Sequence, residues 1–135
     1  MPDPKAFLDT NILLYLLSED ARKADQAEQI VRAGGRISVQ VLNEFANVAR
    51  RKLAMPWSEV SELLDLIRFL CITDPLTVET HARGLIVAEE YRLSLYDSMI
   101  VAAALIGECK ILYSEDMQHG LRVDRQLHIH NPFSE

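Results

Sequence analysis

Four carboxylates that are far apart in the sequence are the residues of this chain best suited to chemistry: Asp9, Glu44, Asp97 and Asp116. Carboxylates gathered in one pocket repel one another, so they stay ionised together only when a cation neutralises them. Oxygen ligands without clustered Cys or His select Mg²⁺ or Mn²⁺ rather than zinc. Such an ion polarises a phosphoryl oxygen and activates a water, so convergent acids would indicate metal-dependent hydrolysis of a nucleic-acid backbone.

Each acid also has an ordinary structural interpretation when it is taken alone. Asp9 suits the cap of a helix that begins near Asn11, and Glu44 suits a solvated position on its own helix. Asp97 suits a helix N-terminus, where the macrodipole favours negative charge, and Asp116 suits a turn. The metal-site hypothesis therefore depends on the joint position of the four acids.

Short apolar runs alternate with helical patterns along the whole chain. Strands are predicted over residues 5–8, 36–38, 70–73, 110–114 and 127–129. Helices are predicted over residues 11–17, 21–33, 38–52, 56–70, 77–91 and 96–106. Strands separated by helices imply right-handed crossovers, so the predicted fold is α/β, with a mostly parallel central sheet and helices on both faces.

Local patterns add predictions about capping and burial. Ser38 is predicted to cap the helix that contains Glu44, and Gly34 with Gly35 is expected to end the helix before it. Helical spacing predicts two sets of inward side chains: Val60, Leu63, Leu64 and Ile67 in one helix, and Val78, Ala82, Leu85 and Ile86 in the next.

The predicted order of elements brings the acids to one edge of the sheet, because sites in open α/β sheets form outside the carboxyl ends of the strands. Asp9 and Asp116 both follow predicted strands, and Glu44 lies one to two helical turns beyond another. Asp97 opens a helix and shares a face with the apolar Val101, so it should lean inward. All four acids can therefore reach one pocket.

Composition limits the class of protein. A chain of 135 residues, about half of them apolar, predicts a single domain over 1–135. A net charge of −6 argues against coating nucleic acid by bulk electrostatics. The apolar run at 12–17 is too short to span a bilayer, and no signal-peptide pattern is present. Cys71 and Cys109 lack metal-ligand spacing and suit buried reduced thiols, so a cytoplasmic protein is expected.

Four sequence blocks contain the acids in order: FLDTNIL at 7–13, VLNEF at 41–45, YDSMIVAAA at 96–104 and SEDMQHG at 114–120. Together they resemble the conserved blocks of PIN-domain proteins, most closely the VapC-type toxin ribonucleases of prokaryotic toxin–antitoxin systems. The Asp-Thr-Asn block alone has little specificity, whereas the ordered set is specific and spans nearly the whole chain. The resemblance implies a PIN-like α/β/α sandwich.

The resemblance also implies roles for individual residues. The four acids would be ligands of Mg²⁺ or Mn²⁺ in a ribonuclease that needs the ion. Ser114 matches a hydroxyl that helps to hold the last acid and its water, and Asn11 matches a polar residue close to the site. Glu115 has no matching role and is expected to be exposed.

Partners follow from the same resemblance. The substrate would be RNA, and a cognate antitoxin would cover the acidic pocket. The protein would form a homodimer, for which the apolar helical segments 11–17 and 60–70 are candidate surfaces. Arg50, Arg51 and Lys52 end one helix; they suit either a solvated helix C-terminus or contacts with RNA phosphates.

Three other functions stay open at this stage. The chain could be a housekeeping nuclease of the PIN type, or a non-catalytic domain that binds RNA or protein. It could also be a phosphatase or phosphotransferase that uses Asp9 as its nucleophile. That chemistry usually needs a second acid two residues later, where this chain has Asn11, and a lysine near the phosphoryl group, whereas Lys110 lies at the wrong end of its strand.

Overall fold

A central β-sheet organises the protein, whose structure, a computed structural model, describes residues 5–133. The strands are β1 (Ala6–Leu8), β2 (Arg36–Ser38), β3 (Ile72–Asp74), β4 (Ile111–Tyr113), β5 (Arg122–Val123) and β6 (Leu127–His130). Their order across the sheet is β3-β2-β1-β4-β6-β5, and every neighbouring pair is parallel except β5 with β6. The predicted α/β fold with a mostly parallel sheet is confirmed; the predicted domain limits of 1–135 include residues 1–4 and 134–135, which lie outside the described residues.

Helices connect the strands. They are α1 (Thr10–Leu14), α2 (Ala21–Ala33), α3 (Val39–Arg51), α4 (Trp57–Leu70), α5 (Val78–Tyr91) and α6 (Leu95–Ile106). A 3-10 turn over Tyr15–Leu17 directly continues α1. When the 3-10 turn is counted with α1, each predicted strand and helix is found within two residues of its expected limits, whereas β5 was not predicted. Among the described helices, none has both the length and the apolar character needed to cross a bilayer.

The sequence marks the helix ends as expected from capping chemistry. The carboxylate of Asp20 accepts the backbone N–H groups of Arg22 and Lys23 at 3.1 and 3.3 Å, which fixes the start of α2. The same helix ends at Gly34, whose φ of 82° is readily adopted only without a side chain. These caps set both limits of α2, which lies between β1 and β2 in the sequence.

The core centres on β1, which pairs with β2 on one side and β4 on the other. Phe7 and Leu8 of this strand are fully buried, as are Leu112 of β4 and Ile129 of β6. Burial of such side chains provides most of the driving force for folding. The residue that follows β1 is therefore held at the middle of the sheet edge, and this residue is Asp9.

The predicted inward face of α4 is confirmed, whereas that of α5 is wrong. Val60 and Ile67 are buried and Leu63 and Leu64 are partly buried. In α5 the side chains predicted to face inward are all exposed: Val78, Ala82, Leu85 and Ile86.

Small residues explain the actual orientation of α5. Its buried positions are Thr80, Gly84 and Val87. A Cβ at Gly84 would lie 2.6 Å from the terminal methyl carbon of Met99, so that methionine of α6 packs directly against the glycine. The close approach of α5 and α6 thus depends on a glycine at position 84. The pattern of apolar residues predicted that the opposite face of α5 would be buried.

Two further local predictions have different outcomes. Ser38 does precede the first residue of α3, but its side chain makes no capping hydrogen bond, and its buried Oγ has no partner among the described residues. The predicted N-cap position is therefore confirmed, although the Ser38 side chain does not cap the helix. Cys71 and Cys109 are both buried and neither forms a disulfide, as expected for reduced thiols.

Candidate active site

The four sequence-predicted acids line one pocket of about 290 Å³. Asp9 follows β1, Glu44 lies in α3, Asp97 lies in the first turn of α6, and Asp116 lies in the loop after β4. The other residues that line the pocket are Thr10, Asn11, Leu14, Asn47, Val48 and Lys52. The pocket lies at the carboxyl edge of the central strands, where sites in open α/β sheets form.

Asp9 is the most constrained of the acids. Its Oδ1 accepts the backbone N–H of Thr10 at 2.7 Å, so it also caps α1. Its Oδ2 accepts hydrogen bonds from the Ser114 hydroxyl at 2.7 Å and from the Asn11 amide at 3.2 Å. Only 4% of Asp9 is exposed, and this burial raises its pKa from 3.8 to about 7, assisted by nearby carboxylates and opposed by these hydrogen bonds.

Asp97 is half-buried. Burial raises its pKa, and the negative charges of Glu44 and Asp116 raise it further. Two acids of the pocket therefore resist ionisation when no cation is bound. A pocket that combines oxygen donors with unfavourable negative charge fits a divalent cation.

Two polar side chains that sequence reasoning missed hold Glu44. The Thr10 hydroxyl donates to its Oε1 at 2.9 Å, and the Gln40 amide donates to its Oε2 at 2.7 Å. Gln40 lies one helical turn before Glu44, a spacing at which side chains of a helix meet, so this partner was visible in the sequence. Thr10 is part of the Asp-Thr-Asn block, but its partner lies 34 residues away.

Asp116 is exposed, and no described residue donates a hydrogen bond to its carboxylate. Its loop is nevertheless tied to the pocket, because the Ser114 hydroxyl that donates to Asp9 also accepts the N–H of Met117 at 3.2 Å. Ser114 thus joins the first acid to the loop of the last one.

The acids line the pocket without forming a closed ligand set. Within residues 5–133, no group of three or more His, Cys, Asp and Glu side chains is arranged to hold a metal ion by itself. Mg²⁺ typically keeps several waters and takes one or two carboxylates from the protein. The donor set therefore suits an ion held partly through water.

The three basic residues at the end of α3 lie in different surroundings. Arg50 donates to the carbonyl of Met55 at 2.7 Å, and its guanidinium carbon lies 4.7 Å from the ring centroid of Trp57. It thus ties α3 to the start of α4. Arg51 is exposed, whereas Lys52 is the one basic side chain among the described residues of the acidic pocket.

The predicted exposure of Glu115 is wrong. Its carboxylate accepts a hydrogen bond from the Tyr15 hydroxyl and forms an ion pair with Lys23 at 3.2 Å, which leaves the side chain 25% exposed. Both partners lie at least 92 residues earlier in the chain, so no local pattern indicated them.

The profile of the PIN domain matches residues 6–122, which include all four acids of the pocket. The chain belongs to the PIN-domain family. No curated protein matches its sequence.

The PIN fold of this chain is shared with solved structures of low sequence identity. A toxin–antitoxin complex from Klebsiella pneumoniae is 20% identical, with a TM-score of 0.73 and coverage of 96% of this chain and 99% of the other. VapC20 of Mycobacterium tuberculosis, a toxin that cleaves the sarcin–ricin loop, is 19% identical, with a TM-score of 0.65 and coverage of 82% and 89%. VapBC2 of Rickettsia felis, bound to a promoter DNA fragment, is 17% identical, with a TM-score of 0.68 and coverage of 93% and 97%.

Proposed function

We propose that this PIN-domain protein is a Mg²⁺- or Mn²⁺-dependent endoribonuclease that acts as the toxin of a toxin–antitoxin pair. The observation that carries the proposal is the convergence of four carboxylates from four separate elements on one pocket: Asp9, Glu44, Asp97 and Asp116. These acids would hold the ion, which when bound neutralises phosphate charge and lowers the pKa of a water. Similar folds in a ribonuclease toxin and in toxin–antitoxin complexes support the same proposal.

The chain's own side chains keep the acids in place for this task. Ser114 fixes one carboxylate oxygen of Asp9, while Thr10 joins the first acid to Glu44 through its backbone N–H and its hydroxyl. Thr10 is the first residue of α1, and Ser114 directly follows β4. Because both partners are held by these elements, the acids do not have to be ordered at the moment of reaction. Lys52 at the pocket border supplies positive charge for an RNA phosphate.

The environment of Asp9 counts against its use as a nucleophile. Both carboxylate oxygens already accept hydrogen bonds, and the side chain is buried. A phosphatase would also need a lysine near the phosphoryl group. Lys110 precedes β4 at the opposite edge of the sheet, where its N–H bonds to the carbonyl of Lys5. A housekeeping nuclease would use the same pocket. It would differ from the proposed toxin in having no antitoxin partner.

We expect the purified protein to cleave single-stranded RNA internally when Mg²⁺ or Mn²⁺ is present and to lose this activity in EDTA. The reason is that the acids of the pocket need a cation to act together. Gel analysis of a labelled RNA measures the cleavage, and restoration by excess Mn²⁺ after EDTA is the control. Cleavage that continues unchanged in EDTA would contradict the metal-dependent mechanism.

A groove that leads to the acidic pocket supports an antitoxin partner. Its apolar walls come from the 3-10 turn, α2 and α4 and enclose about 330 Å³: Leu16, Leu17, Ala24, Val31, Leu63, Leu66 and Leu70. A neighbouring pocket shares Leu17 with this groove and shares Asn11, Leu14, Val48 and Lys52 with the acidic pocket. An apolar helix followed by a basic segment would fit this surface, because apolar anchors fill grooves and basic groups complement carboxylates.

We expect Leu66→Glu to leave RNA cleavage intact while it prevents neutralisation by the antitoxin. Leu66 lines the groove and is 53% exposed, so a charge there should spoil partner binding without unfolding the domain. Growth of cells that co-express the variant and a cognate antitoxin measures neutralisation. Phe69→Glu is the matched control, because Phe69 is an exposed residue of the same helix outside the groove. Full rescue of the Leu66→Glu variant would contradict this binding surface.

The homodimer stays a prediction, and the exposed apolar face of α5 offers a surface for it. Val78, Leu85 and Ile86 are 84%, 48% and 61% exposed, and such a run of apolar side chains is uncommon on monomers. This surface differs from the helical segments that the sequence suggested. Sedimentation velocity distinguishes a dimer from the 15.3 kDa monomer.

A further inference from the structure

Two neighbouring segments of the sheet edge bring three side chains together beside the acidic pocket, and we name them the Glu115 clamp: Tyr15, Lys23 and Glu115. Glu115 lies 100 and 92 residues after the other two. The Tyr15 hydroxyl donates to Glu115 Oε1, and Lys23 Nζ lies 3.2 Å from both the other carboxylate oxygen and the Tyr15 hydroxyl. Each member therefore contacts the other two. Such closed networks hold their members more firmly than isolated surface ion pairs do.

Aromatic rings restrict the ammonium group of the clamp. Lys23 Nζ lies 4.8 Å from the ring centroid of Tyr15 and 5.6 Å from that of Phe133. The two rings pack edge to face with their centroids 4.7 Å apart. Because a cation is attracted to both ring faces, Lys23 is held over Glu115 and has little freedom to turn away.

Backbone contacts connect the clamp to the acids. The N–H of Glu115 donates to Asn11 Oδ1 at 3.1 Å, and the amide of Asn11 donates in turn to Asp9. The next residue is Asp116, which is exposed and receives no hydrogen bond from a described residue. Its place in the pocket is thus set by its neighbours in the loop and not by partners of its own.

We propose that Glu115, held by Tyr15 and Lys23, is a positioning residue that sets the place of Asp116 in the acidic pocket. The proposal rests on the proposed function, because it assumes that the pocket binds a divalent cation. In the clamp, Lys23 acts through its ion pair with the Glu115 carboxylate, at 3.2 Å, which restricts the position of that carboxylate.

The experiment measures Mn²⁺ binding to the purified protein by electron paramagnetic resonance and amide hydrogen exchange of the segment 112–119 without metal. Glu115→Gln and Lys23→Met should each weaken Mn²⁺ affinity about tenfold, as loss of supporting residues around metal ligands commonly does. Both variants should also exchange faster at the amides of residues 115 and 117. Tyr15→Phe, which removes only the hydroxyl, should also weaken Mn²⁺ affinity and speed the exchange. Lys23→Arg, which keeps the positive charge, should leave both measurements at wild-type values.

Glu28→Gln is the matched control, because Glu28 forms a 2.8 Å ion pair with Arg32 on the same helix as Lys23 but outside the clamp. Unchanged exchange in Glu115→Gln would overturn the clamp, and faster exchange with unchanged Mn²⁺ affinity would overturn its positioning role. A wild-type protein that binds no Mn²⁺ would instead overturn the metal site of the proposed function. A fall in affinity caused equally by Glu28→Gln would mean a general electrostatic effect and would also overturn the inference.

Discussion

Replacement of Asp97 by Asn should lower kcat/KM for RNA cleavage by at least about 100-fold. Asp97 lies in the first turn of α6 and lines the acidic pocket. Asn has almost the same shape but cannot supply the negative charge that holds a cation. The helix start should persist, because the N-cap Ser94 accepts the backbone N–H of residue 97 at 3.2 Å, a hydrogen bond that the substitution keeps.

The control for this variant is Asp65→Asn, which removes the same charge from an exposed position of α4 outside the pocket. Cleavage rates at saturating Mn²⁺ and Mn²⁺ affinity should both fall for Asp97→Asn and both stay at wild-type values for the control. A variant that cleaves RNA as the wild type does would refute the four-acid site, even if the protein proved to be a nuclease.

Asp9→Asn should stabilise the metal-free protein at pH 8, by roughly 2–4 kcal/mol, although it should inactivate the enzyme. The folded-state pKa of Asp9 is about 7, against 3.8 for the ordinary carboxyl group. The folded protein thus binds this proton more tightly than the unfolded chain does, so the free energy of unfolding falls as pH rises from about 4 to about 7. The difference in pKa corresponds to about 4 kcal/mol, part of which Asn loses through weaker hydrogen bonds.

Urea unfolding in EDTA at pH 5 and pH 8 measures this effect. The wild type should lose stability over this interval, and Asp9→Asn should lose much less, with a residual slope from Asp97, whose pKa burial also raises. Addition of Mg²⁺ at pH 8 should stabilise the wild type and not the variant. An equal pH dependence for the two proteins would show that the pKa of Asp9 is not raised in the metal-free fold.

The limits of the helices could be predicted from the sequence where capping residues mark them. Asp20 and the pair Gly34 and Gly35 mark the ends of α2 by capping chemistry that needs no tertiary context. The four acids converge as predicted, because strand order alone places the residues after β1 and β4 at one edge. Helix capping depends on a few neighbouring residues, and the common edge depends only on the direction of the strands, so both could be predicted.

Long-range contacts account for what was missed. The short β5 leads into a turn with left-handed backbone at Asp124 and Arg125, where φ is 53° and 58°. Asp adopts this conformation more often than most residues do, but Arg125 gives no local signal for it. The Tyr91 hydroxyl holds that turn by accepting the N–H of Asp124 at 2.9 Å. The orientation of α5 likewise depends on Gly84 beneath Met99, a contact that no hydrophobic pattern contains.

The order of strands in the sheet also bears on how the protein is synthesised. The hydroxyl that holds Asp9 belongs to Ser114, which is translated 105 residues after it. Asp97 and Asp116 follow Asp9 by 88 and 107 residues. A nascent chain that stops before residue 116 therefore has no complete acidic pocket, however well its first three strands have paired. For a proposed ribonuclease, this topology delays assembly of the active site until most of its own mRNA has been translated.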